Sequence, residues 1–356
     1  MKKSFLLLIA AALLAACSSN EMAVELKEKP IGFSRVYIDK STKAITPGPY
    51  TTANFETVGN TFGVFGYKTT ATQTNAKVFD DVKVEYQDGL STSIYEGAKD
   101  WAYSPLVYWD KTATNYKFFA YAPHSGDFTK TSVTFDINTP NSFQINGFKQ
   151  ATTVANQIDL MTDLTTKNSV TGGNIGTNDV QFTFGHILSN INVTMAVSAA
   201  LKADETDNPV SVVEVTLGTI TMDGSYAWST DAYKWTLSTS SPTTQLFSAT
   251  QSSGNVFASK ALTATPAEVP GLTGMLMIPQ AVNANYEIYV KYKIDTEVFE
   301  RTIKLSEFLN SGNPLATWAP GNMYTYNIVI GPTPILFDIN TVSGWADGGT
   351  YTYTIE

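Results

Sequence analysis

One cysteine, two histidines and two arginines are spread over 356 residues, and each shortage removes a class of explanation. A lone thiol, Cys17, excludes intramolecular disulfides and zinc sites built on several cysteines. Arg35 and Arg301 sit in a chain of formal net charge −9, which drops by two more once Lys2 and Lys3 are set aside. Such a chain has no basic patch to neutralise phosphates, so nucleic acid is excluded as a partner. Charged residues make up only 15% and aromatics 12% of the chain, a balance too apolar for disorder.

Catalytic signatures are also missing. There is no Gly-x-Ser-x-Gly elbow, Walker loop, His-Glu-x-x-His or EF-hand spacing. His186, within an alternating Phe182-Thr-Phe-Gly-His run, reads as a hydrogen-bonded structural residue. His124, after Ala122-Pro123, reads as an exposed turn residue. Asp80 and Asp81 are adjacent on a strand and point to opposite faces, so they do not form an acid/base pair. Asp159, Asp163 and Asp179 lie in loop-like stretches, where solvated carboxylates are a plainer reading than a weak calcium site. No enzyme, catalytic residue, cofactor or metal is expected. A glycosidase, which needs only two carboxylates at no fixed spacing, is the one hydrolase left open.

What is present begins with a leader. Lys2 and Lys3 precede the apolar run Phe5–Leu14, too short to span a bilayer as a helix, and then Leu13-Leu-Ala-Ala-Cys17. Small residues directly before a lone cysteine resemble a bacterial lipoprotein signal, in which Cys17 is acylated and becomes the new N-terminus of 340 residues. An ordinary signal peptide is the plainer alternative. No second apolar run reaches transmembrane length, so lipid is the only visible anchor. At roughly 100–200 residues per domain the length suggests two domains.

After a polar tether at 18–29, period-2 alternation dominates. Tyr286, Ile288, Val290, Tyr292 and Ile294 form one apolar face. Val213, Val215 and Leu217, and Tyr324, Tyr326 and Ile328, repeat the pattern. Asp88-Gly89, Asp223-Gly224 and Asp347-Gly348 read as hairpin turns. Many short strands with regular turns predict an all-β chain of β-sandwiches. A short helix is expected within 195–205, a loop at the domain boundary over 165–178, and exposed loop at 238–244. There is no convincing internal repeat. The dense aromatics Trp101, Tyr103, Tyr108, Trp109, Tyr116, Phe118, Phe119 and Tyr121 read as sandwich core. The competing reading is a monomeric surface lipoprotein that binds glycans on exposed Trp101, Tyr108, Trp109, Trp228 or Trp235.

Several short motifs recur in a familiar order: Phe62-Gly-Val-Phe-Gly-Tyr67, Trp101-x-Tyr-Ser-Pro-x-x-Tyr-Trp109 and Phe118-Phe-Ala-Tyr-Ala-Pro123. They continue with Phe182-x-Phe-x-His186-x-Leu-Ser, Met277-Ile-Pro-Gln280, Trp318-x-Pro-Gly-x-x-Tyr324-x-Tyr-x-Ile and Ile335-x-Phe-x-Ile-x-x-Val-x-x-Trp345. Together they resemble the Bacteroidetes fimbrillin family, Mfa-like branch. That resemblance implies a type V pilus subunit with two transthyretin-like β-sandwich domains in tandem, supporting adhesion. It implies outer-membrane export as a lipoprotein, then a trypsin-like protease cut after a basic residue. The cut removes an N-terminal strand, and a segment of another pilus subunit fills the groove.

On this sequence the implied division is 1–17 signal, 18–43 tether and removable strand, 44–180 first sandwich and 181–356 second sandwich. The removable strand would alternate at Ile31, Phe33, Arg35 and Tyr37. The cut would follow Lys43, where the family usually has arginine after threonine; Arg35 is the alternative. The donor segment lies within 334–356: Ile335, Phe337, Ile339 and Val342, then Tyr351, Tyr353 and Ile355, with a flexible break at Asp347-Gly348-Gly349. These strands could equally be the last strands of the second sandwich. Further partners are host glycans or proteins, and the outer membrane through the lipid before cleavage.

Overall fold

The computed structural model describes residues 29–34, 36–38, 51–87, 101–138, 142–163, 168–202, 209–229, 232–240, 242–250, 256–257, 262–282, 285–310, 313–331 and 346–351. The chain is all-β. Among the described residues, α-helix is confined to Thr52–Phe55 and Ala199–Lys202, the latter within the stretch where a short helix is expected.

Four larger sheets carry the fold. The largest runs Tyr37–Ile38, Thr183–His186, Met161–Asp163, Asn115–Ala122, Thr61–Thr69, Ala76–Tyr86 and Trp101–Ala102, with Asn168–Thr171 also paired to Asn115–Ala122. That last pairing replaces part of the expected loop over 165–178 with a strand. A second sheet orders Ala232–Leu237, Asp223–Ser229, Ser142–Lys149 and Ser132–Asp136. Its central pair joins residues on either side of the 180/181 boundary drawn from sequence. A third orders Ala267–Glu268, Ser189–Val197, Asn322–Ile330 and Ala346–Tyr351, with Met275–Met277 also on Ser189–Val197. The fourth is Thr244–Thr250, Val210–Thr221, Glu287–Ile294 and Glu297–Lys304.

Alternation explains how these sheets stack. In Thr61–Thr69, Phe62 and Val64 enter one core while Phe65 and Tyr67 enter another, so the strand is buried on both faces. The two glycines between them make room for rings: a Cβ on Gly63 would lie 2.4 Å from the Tyr121 ring, and one on Gly66 2.6 Å from Phe79. The first core holds Phe62, Phe79, Phe118, Phe182 and Phe184 on one face of the large sheet. The second packs Phe65, Phe119 and Tyr121 from its other face against Phe143, Ile145, Phe148 and Tyr226 of the second sheet. The third lies between the third and fourth sheets around Trp318, Tyr326, Val215, Leu217, Ile288 and Val290.

Three local expectations are corrected by the pairing. In Val210–Thr221, Val212 rather than Val213 is buried, because the register shifts between Val212 and Glu214. Asp223-Gly224 is not a hairpin turn: the chain passes at Met222 from the fourth sheet into the second, and Gly224 lets the neighbouring backbone approach, with the Thr236 carbonyl 2.7 Å from where a Cβ would stand. Asp347-Gly348-Gly349 is likewise no break, since Met323 pairs with Asp347 and Thr325 with Thr350, leaving one extra residue as a bulge. Asp88-Gly89 lies outside the described residues.

Candidate functional site: the seat of the first strand

The stretch 29–38 is built into the large sheet without being long enough to stand by itself. On one side it meets 107–109: the Ile31 amide donates to the Val107 carbonyl at 2.8 Å and the Trp109 amide to the Lys29 carbonyl at 3.0 Å. On the other it runs parallel to 180–184. The Val180 amide donates to Gly32 at 2.8 Å, the Ser34 amide to Val180 at 3.1 Å and the Tyr37 amide to Phe182 at 3.0 Å. It therefore bridges the stretch that follows Trp101–Ala102 at one edge of the sheet to Thr183–His186 at the other.

Its apolar side chains are fully seated. Ile31, Phe33, Val36 and Ile38 are all buried. Phe33 is the hub, its ring centroid 5.9 Å from Phe62, 5.6 Å from Phe79, 5.5 Å from Tyr103, 6.4 Å from Phe118 and 5.8 Å from Phe182. At about 1.5–3 kcal/mol per buried side chain, the four together contribute on the order of 6–12 kcal/mol of gross burial, an upper bound. The Tyr103 hydroxyl donates to the Ile31 carbonyl at 2.7 Å, and Lys29 Nζ lies 3.7 Å from Asp179 Oδ1.

The expected face of Ile31, Phe33, Arg35 and Tyr37 is corrected at its second half. Phe33 pairs with Val180 but Tyr37 with Thr183, so four residues on the first strand oppose three on its partner. That extra residue flips the strand, placing Val36 and Ile38 inside and Tyr37 43% exposed. Gly32 sits where a Cβ would lie 2.4 Å from Asp179 Oδ1.

Ala346–Tyr351, the start of the second donor piece, pairs in parallel with Asn322–Ile330, Tyr351 opposite Tyr326. Cys17, Arg35, Lys43, Ile335, Phe337, Ile339, Val342, Tyr353 and Ile355 lie outside the described residues.

The remaining predicted sites fall differently. Trp101 and Trp109 are buried, as the core reading expects and against the glycan-platform alternative: Trp101 packs 4.8 Å from Phe62 and Trp109 4.8 Å from Tyr116. Trp235 is tied by its indole N–H to the Ile187 carbonyl at 2.7 Å, and Trp228 stacks on Phe119. Of that set Tyr108 is exposed. Asp159 and Asp163 are buried rather than solvated; Asp159 Oδ1 meets His186 Nδ1 at 2.9 Å and Asp163 accepts from Asn168 at 2.7 Å. His186 thus holds the structural role expected of it. His124 is engaged rather than exposed, its Nδ1 accepting from the Gly126 amide at 3.0 Å and its Nε2 lying 3.1 Å from the Asp81 carbonyl. Asp80 pairs with Lys77 at the surface, while Asp81 turns inward to accept from Tyr121 and from Ser125 Oγ. Among the described residues no group of three or more His, Cys, Asp or Glu side chains could hold a metal ion, and no helix is long and apolar enough to cross a membrane.

Comparison with known proteins agrees with this architecture. A crystal structure of a fimbrial protein from Bacteroides vulgatus superposes with a TM-score of 0.56 at 20% identity, covering 88% of this chain and 99% of that one, which supports the shared fold. The fimbrium subunit Fim1C of Phocaeicola vulgatus is 27% identical over 208 residues, 53% of this chain and 50% of that protein, so the match spans half the relative's length. A model of the fimbrillin-like family matches residues 42–345. The chain belongs to the fimbrillin-like family.

Proposed function

We propose that this protein is a structural subunit of a type V pilus, matured by proteolysis and polymerised by strand donation, and that the filament supports adhesion. The observation that carries this reading is the first strand, seated by four buried side chains and hydrogen-bonded along both edges. Removing it would leave an apolar groove with unpaired backbone on either side, a surface that must be covered. An incoming strand restores both kinds of contact. In this reading Cys17 is acylated and tethers the precursor to the outer membrane. A trypsin-like protease then cuts after Lys43, with Arg35 the alternative, and frees residues up to 43. The two sandwiches divide near residue 180, with Thr183–His186 and Asp223–Leu237 crossing back to the sheets of the first. The donor lies within 334–356, its apolar residues Ile335, Phe337, Ile339, Val342, Tyr351, Tyr353 and Ile355. The groove of one subunit is filled by a segment of another pilus subunit, and host glycans or proteins are met by the assembled filament.

Brief trypsin treatment of the chain from Ser18 onward, followed by N-terminal sequencing and gel analysis, tests the whole cycle. A cut after Lys43 or Arg35 with concentration-dependent, SDS-resistant ladders is the expected result. A clean cut that leaves a stable monomer would remove polymerisation from the proposal, and no cut at either residue would remove maturation.

A further inference from the structure

The fourth sheet ends in two edge strands of opposite character. Glu297–Lys304, at one edge, carries Glu297, Glu300, Arg301 and Lys304, all exposed, and such charges keep an open edge from pairing. Thr244–Thr250, at the other edge, holds no charge, proline or glycine. The gap in charge is wider than the strand. From Trp235 to Ser259 there is no Asp, Glu, Lys or Arg, in a chain of formal net charge −9. Among the described residues no strand pairs with the outer side of Thr244–Thr250.

The ladder leaves that side open for pairing. The Thr243 carbonyl accepts from the Met222 amide at 2.8 Å, on the side of Val210–Thr221, and Gln245, Phe247 and Ala249 stand opposite Ile220, Leu217 and Val215. Along a strand, successive residues turn their amides and carbonyls to alternate sides. Those of Thr244, Leu246, Ser248 and Thr250 therefore point away from the sheet. The Leu246 carbonyl accepts from the Gln245 side chain at 2.6 Å. Phe247 and Ala249 are buried in the core, whereas Leu246 is 51% exposed. Turned end for end, the strand also matches itself. With Phe247 opposite Phe247 of a second copy, Thr244 meets Thr250, Leu246 meets Ser248 and Gln245 meets Ala249. Threonine faces threonine at both ends, which favours side-chain hydrogen bonds, and each long side chain faces a small one. All four outward-turned residues gain backbone partners, the two Leu246 side chains become diagonal neighbours, and no like charges meet.

We propose that the Thr244–Thr250 edge is a self-recognition surface. A second copy of this chain docks on it antiparallel, about a two-fold axis at Phe247, and joins two four-stranded sheets into one. The joint is independent of strand donation, since the first strand keeps its seat and neither chain end takes part. Repeated along two filaments, so small a joint would tie them side by side through many copies acting together.

Sedimentation velocity and light scattering of the uncut chain from Ser18 onward, over a range of concentrations, test this. A reversible monomer–dimer equilibrium is expected. Leu246→Lys and Ser248→Glu are each expected to weaken it about fivefold or more, by setting like charges diagonally across the joint. Their equal mixture is expected to recover it, because the introduced ammonium and carboxylate then stand opposite each other. Ser248→Pro removes an outward-turned amide, spares the ladder to Val210–Thr221 and is expected to weaken the dimer as well. Val298→Lys, on the charged edge, is expected to leave it unchanged. Thermal midpoints near that of the parent chain show that each variant folds. A monomer at every concentration would overturn the proposal, as would a dimer disrupted by Val298→Lys and not by Leu246→Lys. Failure of the mixture to recover would overturn the two-fold register. Dimers that form only after trypsin treatment would belong to strand exchange and overturn this joint.

Discussion

Phe33 stacks on Phe182, ring centroids 5.8 Å apart and planes 25° from parallel, while the backbone beside it pairs with Val180. One residue of the first strand thus carries side-chain and main-chain attachment to the same neighbouring strand. Phe33→Ala is expected to lower stability by about 3–5 kcal/mol, the range for emptying a buried aromatic site. Denaturant unfolding of the unnicked chain measures it. A loss under about 1 kcal/mol would mean that the first strand is only loosely held.

The buried pair of Asp159 and His186 gives a second prediction. Both side chains are 3% exposed, and the contact ties the approach to Met161–Asp163 to Thr183–His186, the strand that seats the first one. Asp159→Ala leaves a buried hydrogen-bonding group of His186 without its Asp159 partner and is expected to cost about 1–3 kcal/mol. Asp159→Asn keeps an acceptor oxygen and is expected to cost clearly less. Thermal unfolding of the two variants side by side distinguishes an oriented hydrogen bond from simple volume.

Trp101 supports a third. Its ring packs against Phe55, Phe62 and Tyr86, so Trp101→Ala is expected to destabilise by about 3–5 kcal/mol as a core truncation. A variant of unchanged stability that lost glycan binding would return this residue to the platform role. Circular dichroism melts paired with glycan-array binding read both.

Acid stability follows from Asp110. The Lys68 ammonium, 2.8 Å away, holds its carboxyl from the ordinary 3.8 down to about 2, aided by Thr112. The folded state therefore binds this proton less readily than the unfolded one, so the contribution is present above pH 3.8 and lost as pH falls through about 2. Both partners are partly solvated, so the effect is small and salt-sensitive. Asp110→Asn is expected to flatten the stability profile across that window; unfolding midpoints at low and high salt check it.

Much of the strand content was legible because a half-buried strand writes its burial into every second residue. Tyr286, Ile288, Val290 and Tyr292 face inward as the sequence suggests, and so do Tyr324, Tyr326 and Ile328. Bulges were not legible. The extra residue before Tyr37 and the shift at Val213 insert no special residue type, and only the partner strand reveals them. The passage at Met222 from one sheet to another was hidden because Asp223-Gly224 has the composition of a turn, while its glycine admits a neighbouring backbone. The aromatic core was readable as a density of rings, yet that Tyr108 is exposed while its neighbour Trp109 is buried depended on tertiary packing. The first strand's importance came through its alternation, but its two-sided pairing depends on residues more than 70 positions away, such as Tyr103.

The parallel pairing of Ser189–Val197 with Asn322–Ile330, continuous from Asn190 opposite Met323 to Val197 opposite Ile330, has a mechanical consequence. Under the strand donation proposed above, tension would enter near Thr183–His186, just before the start of the first of these strands, and would leave beyond the end of the second. Parallel strands pulled from opposite ends are loaded in shear, so their hydrogen bonds resist together instead of unzipping one by one. A subunit wired this way would hold under a drag that would peel an antiparallel hairpin apart.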